Sequence, residues 1–169
     1  AIKIKFMKFL SFLFFGIFSL YTTAQADNRP PNIILIMVDD LGAECVNSYG
    51  GSSYSTPRLT QMAQSGMQFE NCHSMPICTP SRVKLMTGRS NKKNHIQFGF
   101  LDPKEKTFSQ VLRKEGYATL IAGKWQLGKD ASLPDHFGFD EHILWQLTTT
   151  GRDSVGMDKR YVNPVLVIN

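Results

Sequence analysis

The sequence predicts an α/β fold, and three observations support this prediction. A continuous apolar run, Asn32–Val38, is rich in Ile and is typical of a fully buried strand. Helical patterns with start and stop signals follow it, and a second strand-like run lies at Tyr117–Ala122. Strands that alternate with helices indicate a mixed, mostly parallel sheet flanked by helices.

The individual helices are predicted from their caps and their spacing. Thr56–Pro57 supplies an N-cap and a proline at the first helical position, and Gly66 supplies the stop. A second helix is expected over Pro80–Thr87, before Gly88, and a third from Thr107 to Gly116. Two further short strands are expected at Met67–Phe69 and at Val162–Ile168.

Length and composition are those of an ordinary globular domain. The chain has 169 residues, of which 42% are hydrophobic and 20% charged, and this length suggests one domain. The formal net charge is +5, but residues 1–26 carry three lysines and no acid, which leaves +2 for residues 27–169. So small an excess, with no basic cluster interleaved with aromatic residues, argues against a nucleic-acid partner.

The first 26 residues predict a secretory signal peptide. Lys3, Lys5 and Lys8 form a positive region, Phe9–Tyr21 is apolar, and Ala24–Ala26 fits the small-residue cleavage pattern. The alternative is a membrane anchor, but the apolar run is shorter than the ~20 residues that a span needs. We therefore expect a periplasmic or secreted protein without a stable membrane span.

The chain contains three cysteines, Cys45, Cys72 and Cys78. An odd number in an exported protein indicates one thiol with a separate role. Cys45 and Cys72 either pair with each other or are both small buried residues, and the sequence leaves both possibilities open.

Two adjacent carboxylates, Asp39 and Asp40, directly follow the first predicted strand. Such a pair repels itself unless a cation lies between the two groups. A hard divalent cation takes oxygen ligands and would relieve this repulsion, which makes the pair a candidate metal site. The alternative is an Asp pair in a turn or a helix N-cap, which is common in loops.

Cys78 lies just before a predicted helix start, and Arg82 follows it after about one helical turn. Helix N-termini attract anions, and residues four apart lie on the same helix face. Lys124 follows the strand predicted at Tyr117–Ala122, at the sheet edge where open α/β folds bind ligands. The alternatives are an inert buried cysteine and two solvated cations.

Three motifs in order carry a family resemblance. Residues Pro31–Asp40 read P-N-I-I-L-I-M-V-D-D, Cys78–Arg82 read C-T-P-S-R, and Gly123–Gly128 read G-K-W-Q-L-G. From Arg29 onwards the sequence resembles the sulfatase family. This resemblance implies an alkaline-phosphatase-like fold in which residues 27–169 are the incomplete N-terminal part of the catalytic domain.

The resemblance also implies roles for these residues. Cys78 would be oxidised to formylglycine, the catalytic nucleophile, by a formylglycine-generating or sulfatase-maturating enzyme. Asp39, Asp40 and the residue derived from Cys78 would bind one Ca²⁺, together with a downstream Asp/Asn pair that this chain lacks. Arg82 would hold the aldehyde hydrate, and Lys124 would contact a sulfate oxygen.

Gln126 departs from the family pattern, in which His follows Trp. An amide donates a hydrogen bond, but it does not act as an acid or a base near neutral pH. A second resemblance, the Gly-Phe-Asp at 138–140, is interpreted as structural.

The implied function is hydrolysis of sulfate esters, either aryl sulfates or sulfated carbohydrates. One alternative is a phosphodiesterase or phosphonate hydrolase of the same superfamily. The other is a non-catalytic binding relative, which Gln126 slightly favours. Because the downstream Asp/Asn pair of Ca²⁺ ligands is missing, the chain by itself is expected to be inactive.

Overall fold

The computed structural model describes residues 29–145 and 166–169. The chain divides into two compact units, one that ends at Asp40 and one that begins at Leu41. The predicted signal peptide lies outside the described residues, as do residues 146–165.

The described part of the second unit contains short helices and strands. The helices are α1 (Pro57–Ser65), α2 (Cys78–Thr87), α3 (Asn91–Asn94), α4 (Phe108–Lys114) and α5 (Leu133–His136). The strands are β1 (Leu120–Lys124), β2 (Glu141–Trp145) and β3 (Leu166–Ile168). Two turns of 3-10 helix precede α1, at Ala43–Cys45 and Asn47–Tyr49. None of the helices in these described ranges has the length and apolarity needed to cross a membrane.

The three strands form one mixed sheet in the order β1-β2-β3. β1 and β2 are parallel, with Leu120 opposite Glu141 and Lys124 opposite Trp145. β2 and β3 are antiparallel, with Leu144 opposite Val167. The connection between the parallel strands carries α5, as parallel pairing requires a crossover rather than a hairpin. The predicted α/β class with a mixed sheet is confirmed.

The strand predicted at Asn32–Val38 is not present. These residues have no regular secondary structure, and their apolar side chains are exposed, with Ile34 at 85% and Ile36 at 76%. A strand exists only where its backbone hydrogen bonds to a neighbouring strand, and the described sheet consists of β1, β2 and β3. The apolar pattern alone could not supply such a neighbour.

Residues 67–69 also lack the predicted strand. The helix before them does form, and α1 starts at Pro57 after Thr56 and ends before Gly66, as predicted. No residue of α1 is buried, and Leu59 and Met62 are exposed. The bounds of this helix are as predicted, but the predicted Thr56 N-cap is wrong, because the Thr56 hydroxyl bonds to Asn47 instead of to the first turn of α1.

The boundaries of the other elements differ from the predictions by a few residues. α2 starts at Cys78, two residues before the predicted start, and ends at Gly88, whose φ of 64° is left-handed. β1 starts at Leu120, just after Thr119, whose backbone N–H donates to the Asp140 carboxylate and not to a carbonyl of β2. The strand reaches Lys124, which places this lysine at the carboxyl end of β1, as predicted.

An aromatic cluster forms the centre of the core. Trp125 is 1% exposed and lies against Phe137 and Phe139, with ring centroids 6.0 and 6.3 Å apart. Phe108 of α4 meets Phe139 edge-to-face at 6.5 Å. The other buried apolar residues of the core are Val83, Met86, Leu101, Leu127 and Leu144. Aromatic pairs in such tilted and edge-to-face arrangements stabilise a core beyond their area alone.

The chain segment that carries Phe137 and Phe139 has little regular structure, so its backbone carbonyls need other partners. Side chains in and next to α4 supply them. Thr107 and Ser109 donate to the carbonyl oxygen of Phe137 at 2.7 and 2.6 Å. The carbonyls of residues 135, 136 and 138 accept from Arg113, Gln110 and Thr119, respectively.

Asp140 connects this segment to Thr119, the residue just before β1. Its Oδ2 accepts hydrogen bonds from the backbone N–H and the hydroxyl of Thr119, and Arg113 Nε lies 2.8 Å from its Oδ1. The Thr119 bonds, assisted by Arg113, hold the pKa of the Asp140 carboxyl below its ordinary value. Its stabilising effect is therefore present at neutral pH and is lost as the pH falls through the folded pKa. These contacts support the structural interpretation of Gly-Phe-Asp.

We expect Gly138→Ala to destabilise the protein more than Gly116→Ala. Both glycines have left-handed φ angles, of 92° and 85°. A Cβ at Gly138 would lie 2.5 Å from the backbone nitrogen of Gln110, whereas nothing lies within 4 Å of one at Gly116. Gly116→Ala should cost about 1–2 kcal/mol from backbone strain, and Gly138→Ala about 1–3 kcal/mol more. Urea denaturation measures both, and equal losses would contradict the packing around Gly138.

Candidate active site

The C-T-P-S-R motif forms the first half of α2. Ile77 has an extended backbone, and Cys78 is the first helical residue, so its side chain lies at the positive end of a ten-residue helix. Cys78 is half-buried, and its sulfur makes no hydrogen bond to the described residues. The thiol is therefore accessible for modification at this helix end.

The next three motif residues are engaged in structural hydrogen bonds. Thr79 is fully buried, and its hydroxyl accepts from the backbone N–H of Gly99 at 3.0 Å. The carbonyl of Pro80 accepts from Asn91 Nδ2 at 2.9 Å. The Ser81 hydroxyl bonds to both backbone groups of Met75 and so fixes the chain entering the helix. Contacts of three motif residues thus hold the start of α2, where Cys78 lies.

Arg82 connects α2 to the sheet. Its Nη1 donates to the backbone carbonyl of Lys124 at 2.7 Å, across 42 residues of sequence. The C-T-P-S-R and G-K-W-Q-L-G motifs are thereby brought together, as their predicted shared site requires. The position of Arg82 in α2, one turn after Cys78, is confirmed.

Gln126 has a strained backbone next to this link. Its φ of 57° is left-handed, which costs a residue other than glycine about 1–2 kcal/mol. Trp125 and Leu127 on either side are both buried, and they hold Gln126 in this conformation. Its Oε1 is buried and accepts no hydrogen bond from residues 29–145 or 166–169. Strain together with an unsatisfied polar atom is a feature of functional sites.

Asp39 and Asp40 end the first unit. Asp40 has a left-handed φ of 53°, so the chain turns where the two carboxylates lie. Two carboxylates suit a hard cation, but Ca²⁺ takes six to eight oxygen ligands. The described part of the chain holds no group of three or more His, Cys, Asp or Glu side chains that could bind a metal. The pair therefore has the right donor chemistry and lacks a complete ligand set.

All three cysteines lie among the described residues, and each is a free thiol. Cys72 is exposed, and Cys45 and Cys78 are half-buried. Of the two possibilities for Cys45 and Cys72, a disulfide is not formed in this structure, and neither residue is fully buried.

Sequence reasoning missed two residues that position the site. Asn91 contacts Pro80, and Asn94 of the same helix donates to the Thr87 hydroxyl at 2.6 Å. The sequence offered only a weak signal for these contacts, a polar stretch with an Asn just after the stop of α2 at Gly88.

A sulfatase family profile, described as "Sulfatase", matches residues 31–165 of this chain. The chain belongs to the sulfatase family. The resemblance that the three motifs carry is thus confirmed over most of the chain.

Curated relatives of this sulfatase chain share substantial identity with it. Arylsulfatase A of Bos taurus is 43% identical in an alignment of 126 positions that covers 68% of this chain and 25% of that protein. Steryl-sulfatase of Mus musculus is 39% identical in an alignment of 146 positions that covers 74% of this chain and 23% of that protein. The chain thus spans about a quarter of the length of the curated relatives it matches.

Two solved structures support the fold. The structure of BT4656 in complex with its substrate D-glucosamine-2-N,6-O-disulfate aligns with a TM-score of 0.66 and 26% identity, over 83% of this chain and 28% of that chain. Ps i-CgsB in complex with k-i-k-neocarrahexaose aligns with a TM-score of 0.65 and 35% identity, over 69% of this chain and 28% of that chain. The alkaline-phosphatase-like α/β fold is confirmed for this partial chain.

We expect Arg82→Gln to lower the free energy of unfolding by about 1–3 kcal/mol, because the Lys124 carbonyl loses a charged donor. Arg58→Gln is the matched control, since Arg58 is exposed and, within the described residues, donates only to Gln61 of its own helix. The control should change stability by less than about 0.5 kcal/mol. Urea denaturation measures both, and similar small effects would contradict a stabilising link between α2 and β1.

Proposed function

We propose that the protein containing this chain hydrolyses sulfate esters with a formylglycine made from Cys78. The observation that supports the proposal most directly is the organisation of the C-T-P-S-R motif. Thr79, Pro80 and Ser81 are used in positioning, and Arg82 reaches the carbonyl of Lys124. The Cys78 sulfur makes no hydrogen bond to the described residues, and it lies at a helix end that attracts anions.

The aldehyde suits this reaction because its hydrate has two hydroxyls on one carbon. One hydroxyl attacks sulfur and displaces the alcohol, and the other then loses its proton so that sulfate leaves and the aldehyde returns. A serine at the same position would remain as a stable sulfate ester. This chemistry explains why the maturation of Cys78, by an enzyme that acts on the motif, would be required for turnover.

The cationic side chains of the site have distinct proposed roles. Arg82 lies one turn after Cys78 on α2 and stabilises the hydrate and its developing charge. Lys124 lies at the carboxyl end of β1, held by the Arg82 bond to its carbonyl, and its ammonium contacts a sulfate oxygen. Gln126 orients the sulfate with its amide and transfers no proton.

Asp39 and Asp40 would bind Ca²⁺ together with the residue derived from Cys78. Their carboxylate oxygens are the donors that a hard cation prefers, and the turn at Asp40 accommodates two adjacent ligands. A bound Ca²⁺ supplies positive charge that favours the anionic form of the attacking oxygen and screens the sulfate. The described residues hold no group of three or more His, Cys, Asp or Glu that would complete this ligand set, so the proposal takes further carboxylate ligands from outside them.

The proposed substrates are aryl sulfates or sulfated carbohydrates. The relatives' names include arylsulfatase A, steryl-sulfatase and N-acetylgalactosamine-6-sulfatase. The two solved structures hold a disulfated glucosamine and a neocarrahexaose. A periplasmic or secreted location is proposed from residues 1–26, whose composition is that of a signal peptide.

We expect Cys78 to be converted to formylglycine when the complete protein is expressed with a maturation enzyme. Replacing the thiol by an aldehyde lowers the peptide mass by about 18 daltons, and this is measured on the tryptic peptide. Cys72 is the internal control, because it is exposed but lacks the motif and should keep its thiol.

Cys78→Ala should abolish hydrolysis of an aryl sulfate while the far-ultraviolet circular dichroism stays unchanged. Detection of only the unmodified thiol at Cys78 in an active protein would overturn the proposal. Faster hydrolysis of a matched phosphate ester would indicate a phosphodiesterase instead. Modified but inactive protein would indicate a non-catalytic relative.

The role proposed for Gln126 predicts a specific kinetic pattern. Gln126→Ala should lower kcat by about 10²–10³, as the loss of one preorganised donor does, on good and poor leaving groups alike. The pH profile should stay unchanged, because an amide does not titrate near neutral pH. Gln126→His, which restores the usual family residue, should add a titrating group to that profile. Wild-type kinetics for Gln126→Ala would place this residue outside the site.

A further inference from the structure

The positive charge of residues 27–169 is concentrated in the sequence around α2. Residues 71–101 contain five cations and no Asp or Glu. Residues 27–169 together carry +2, so everything outside this segment amounts to −3. The five cations are Arg82, Lys84, Arg89, Lys92 and Lys93.

Two of these cations lie on α3, which is held along the length of α2. Asn91 donates to the carbonyl of Pro80 near the start of α2, and Asn94 donates to the hydroxyl of Thr87 at its end. Asn94 is 4% exposed, so this contact is shielded from water. The helix is therefore a fixed part of the surface beside the first turn of α2, where Cys78 lies.

Lys92 and Lys93, which we call the lysine pair, stand between these two asparagines. Residues three apart, such as Asn91 and Asn94, share one helix face, so the two residues between them project elsewhere. Both lysines are exposed, and neither forms an ion pair with a described residue. Arg89 differs, because Glu105 neutralises it at 2.6 Å.

We propose that the lysine pair binds anionic groups of a polysulfated glycan in addition to the sulfate ester that is cleaved. This inference rests on the proposed function, since it extends the substrate beyond the reacting group. The pair contacts the sulfates on neighbouring sugars of the same chain. Small aryl sulfates do not reach it.

Three features distinguish this surface from an ordinary solvated lysine pair. Its helix is held by two hydrogen bonds from asparagine side chains, so the backbone that carries the two lysines has a fixed position. The segment around it contains no acid that would neutralise it. It also lies beside the helix turn that contains Cys78, because Pro80 is only two residues further on. A ligand with repeated negative charges complements such a surface.

The test measures binding of fluorescently labelled, low-molecular-mass dextran sulfate to the complete protein by anisotropy over a range of NaCl concentrations. Lys92→Gln/Lys93→Gln should bind about tenfold more weakly at low salt. The slope of log K against log salt should fall by about one to two, because each lysine contact with a polyanion releases about one counterion. Unsulfated dextran should not bind to any variant.

The matched control is Arg58→Gln/Lys114→Gln, which removes the same charge from exposed positions outside residues 71–101. It should reduce dextran sulfate binding less than twofold. An equal loss in both double variants would overturn the proposal, since binding would then follow net charge alone. Retention of full binding by Lys92→Gln/Lys93→Gln would overturn it as well. Binding of vesicles containing phosphatidylserine through the lysine pair, without binding of dextran sulfate, would indicate a membrane surface instead.

Kinetics separate this inference from the proposed function. Lys92→Gln/Lys93→Gln should leave kcat/KM for an aryl sulfate unchanged and lower it several-fold for a polysulfated oligosaccharide. Absence of aryl sulfate hydrolysis in every variant would contradict the proposed function. The binding measurement would still show whether the lysine pair binds a polysulfated glycan. Equal kcat/KM losses on both substrates would overturn the inference, because the lysine pair would then act on the reacting group.

Discussion

The described core depends on one constraint, the need of a buried irregular segment for hydrogen-bond donors. Residues 135–138 run from the end of α5 into the buried turn at 137–139, and their carbonyls accept from side chains in and beside α4 and from Thr119. With those bonds made, Phe137 and Phe139 can pack on Trp125. Trp125 lies between Lys124 and Gln126 in sequence, so its burial fixes the backbone positions of both neighbours. A polar network thus fixes an aromatic cluster, which in turn places two candidate site residues.

The helix α2, which carries Cys78, is positioned by a different kind of interaction. Its apolar residues Val83 and Met86 enter the core, while its polar residues reach outward to loops, to α3 and to the end of β1. Hydrophobic packing is non-directional and leaves a helix free to rotate or slide. Hydrogen bonds are directional, and those that Thr79 and Ser81 accept and Arg82 donates remove that freedom. The position of Cys78 is therefore defined much more narrowly than burial alone would define it.

Local signals predicted α1, α2 and α4 but not the short helices α3 and α5, and the strand prediction failed in part because strands depend on long-range pairing. The capping box of Thr107 and Gln110 and the glycine after α2 are short-range features that can be read directly from the sequence. The strand at Glu141–Trp145 was missed because His142 is buried and Ile143 exposed, which reverses the expected alternation. The run at Asn32–Val38 has a strand composition, but composition cannot create a hydrogen-bonded neighbour. Within the candidate site, the motifs predicted Cys78, Arg82 and Lys124, but the sequence gives only a weak signal for the contact between Asn91 and Pro80.

The hydrogen bond from Arg82 ends on a backbone carbonyl, and this has an evolutionary consequence. Every amino acid offers the same carbonyl at position 124, so a replacement there keeps the connection between α2 and β1. Selection on the side chain of Lys124 can therefore follow reactivity largely independently of this architectural connection. Position 82 has no such freedom, because one guanidinium serves both the framework and the proposed chemistry. New activities in this scaffold should therefore arise more readily by drift at the strand end than by change in the helix.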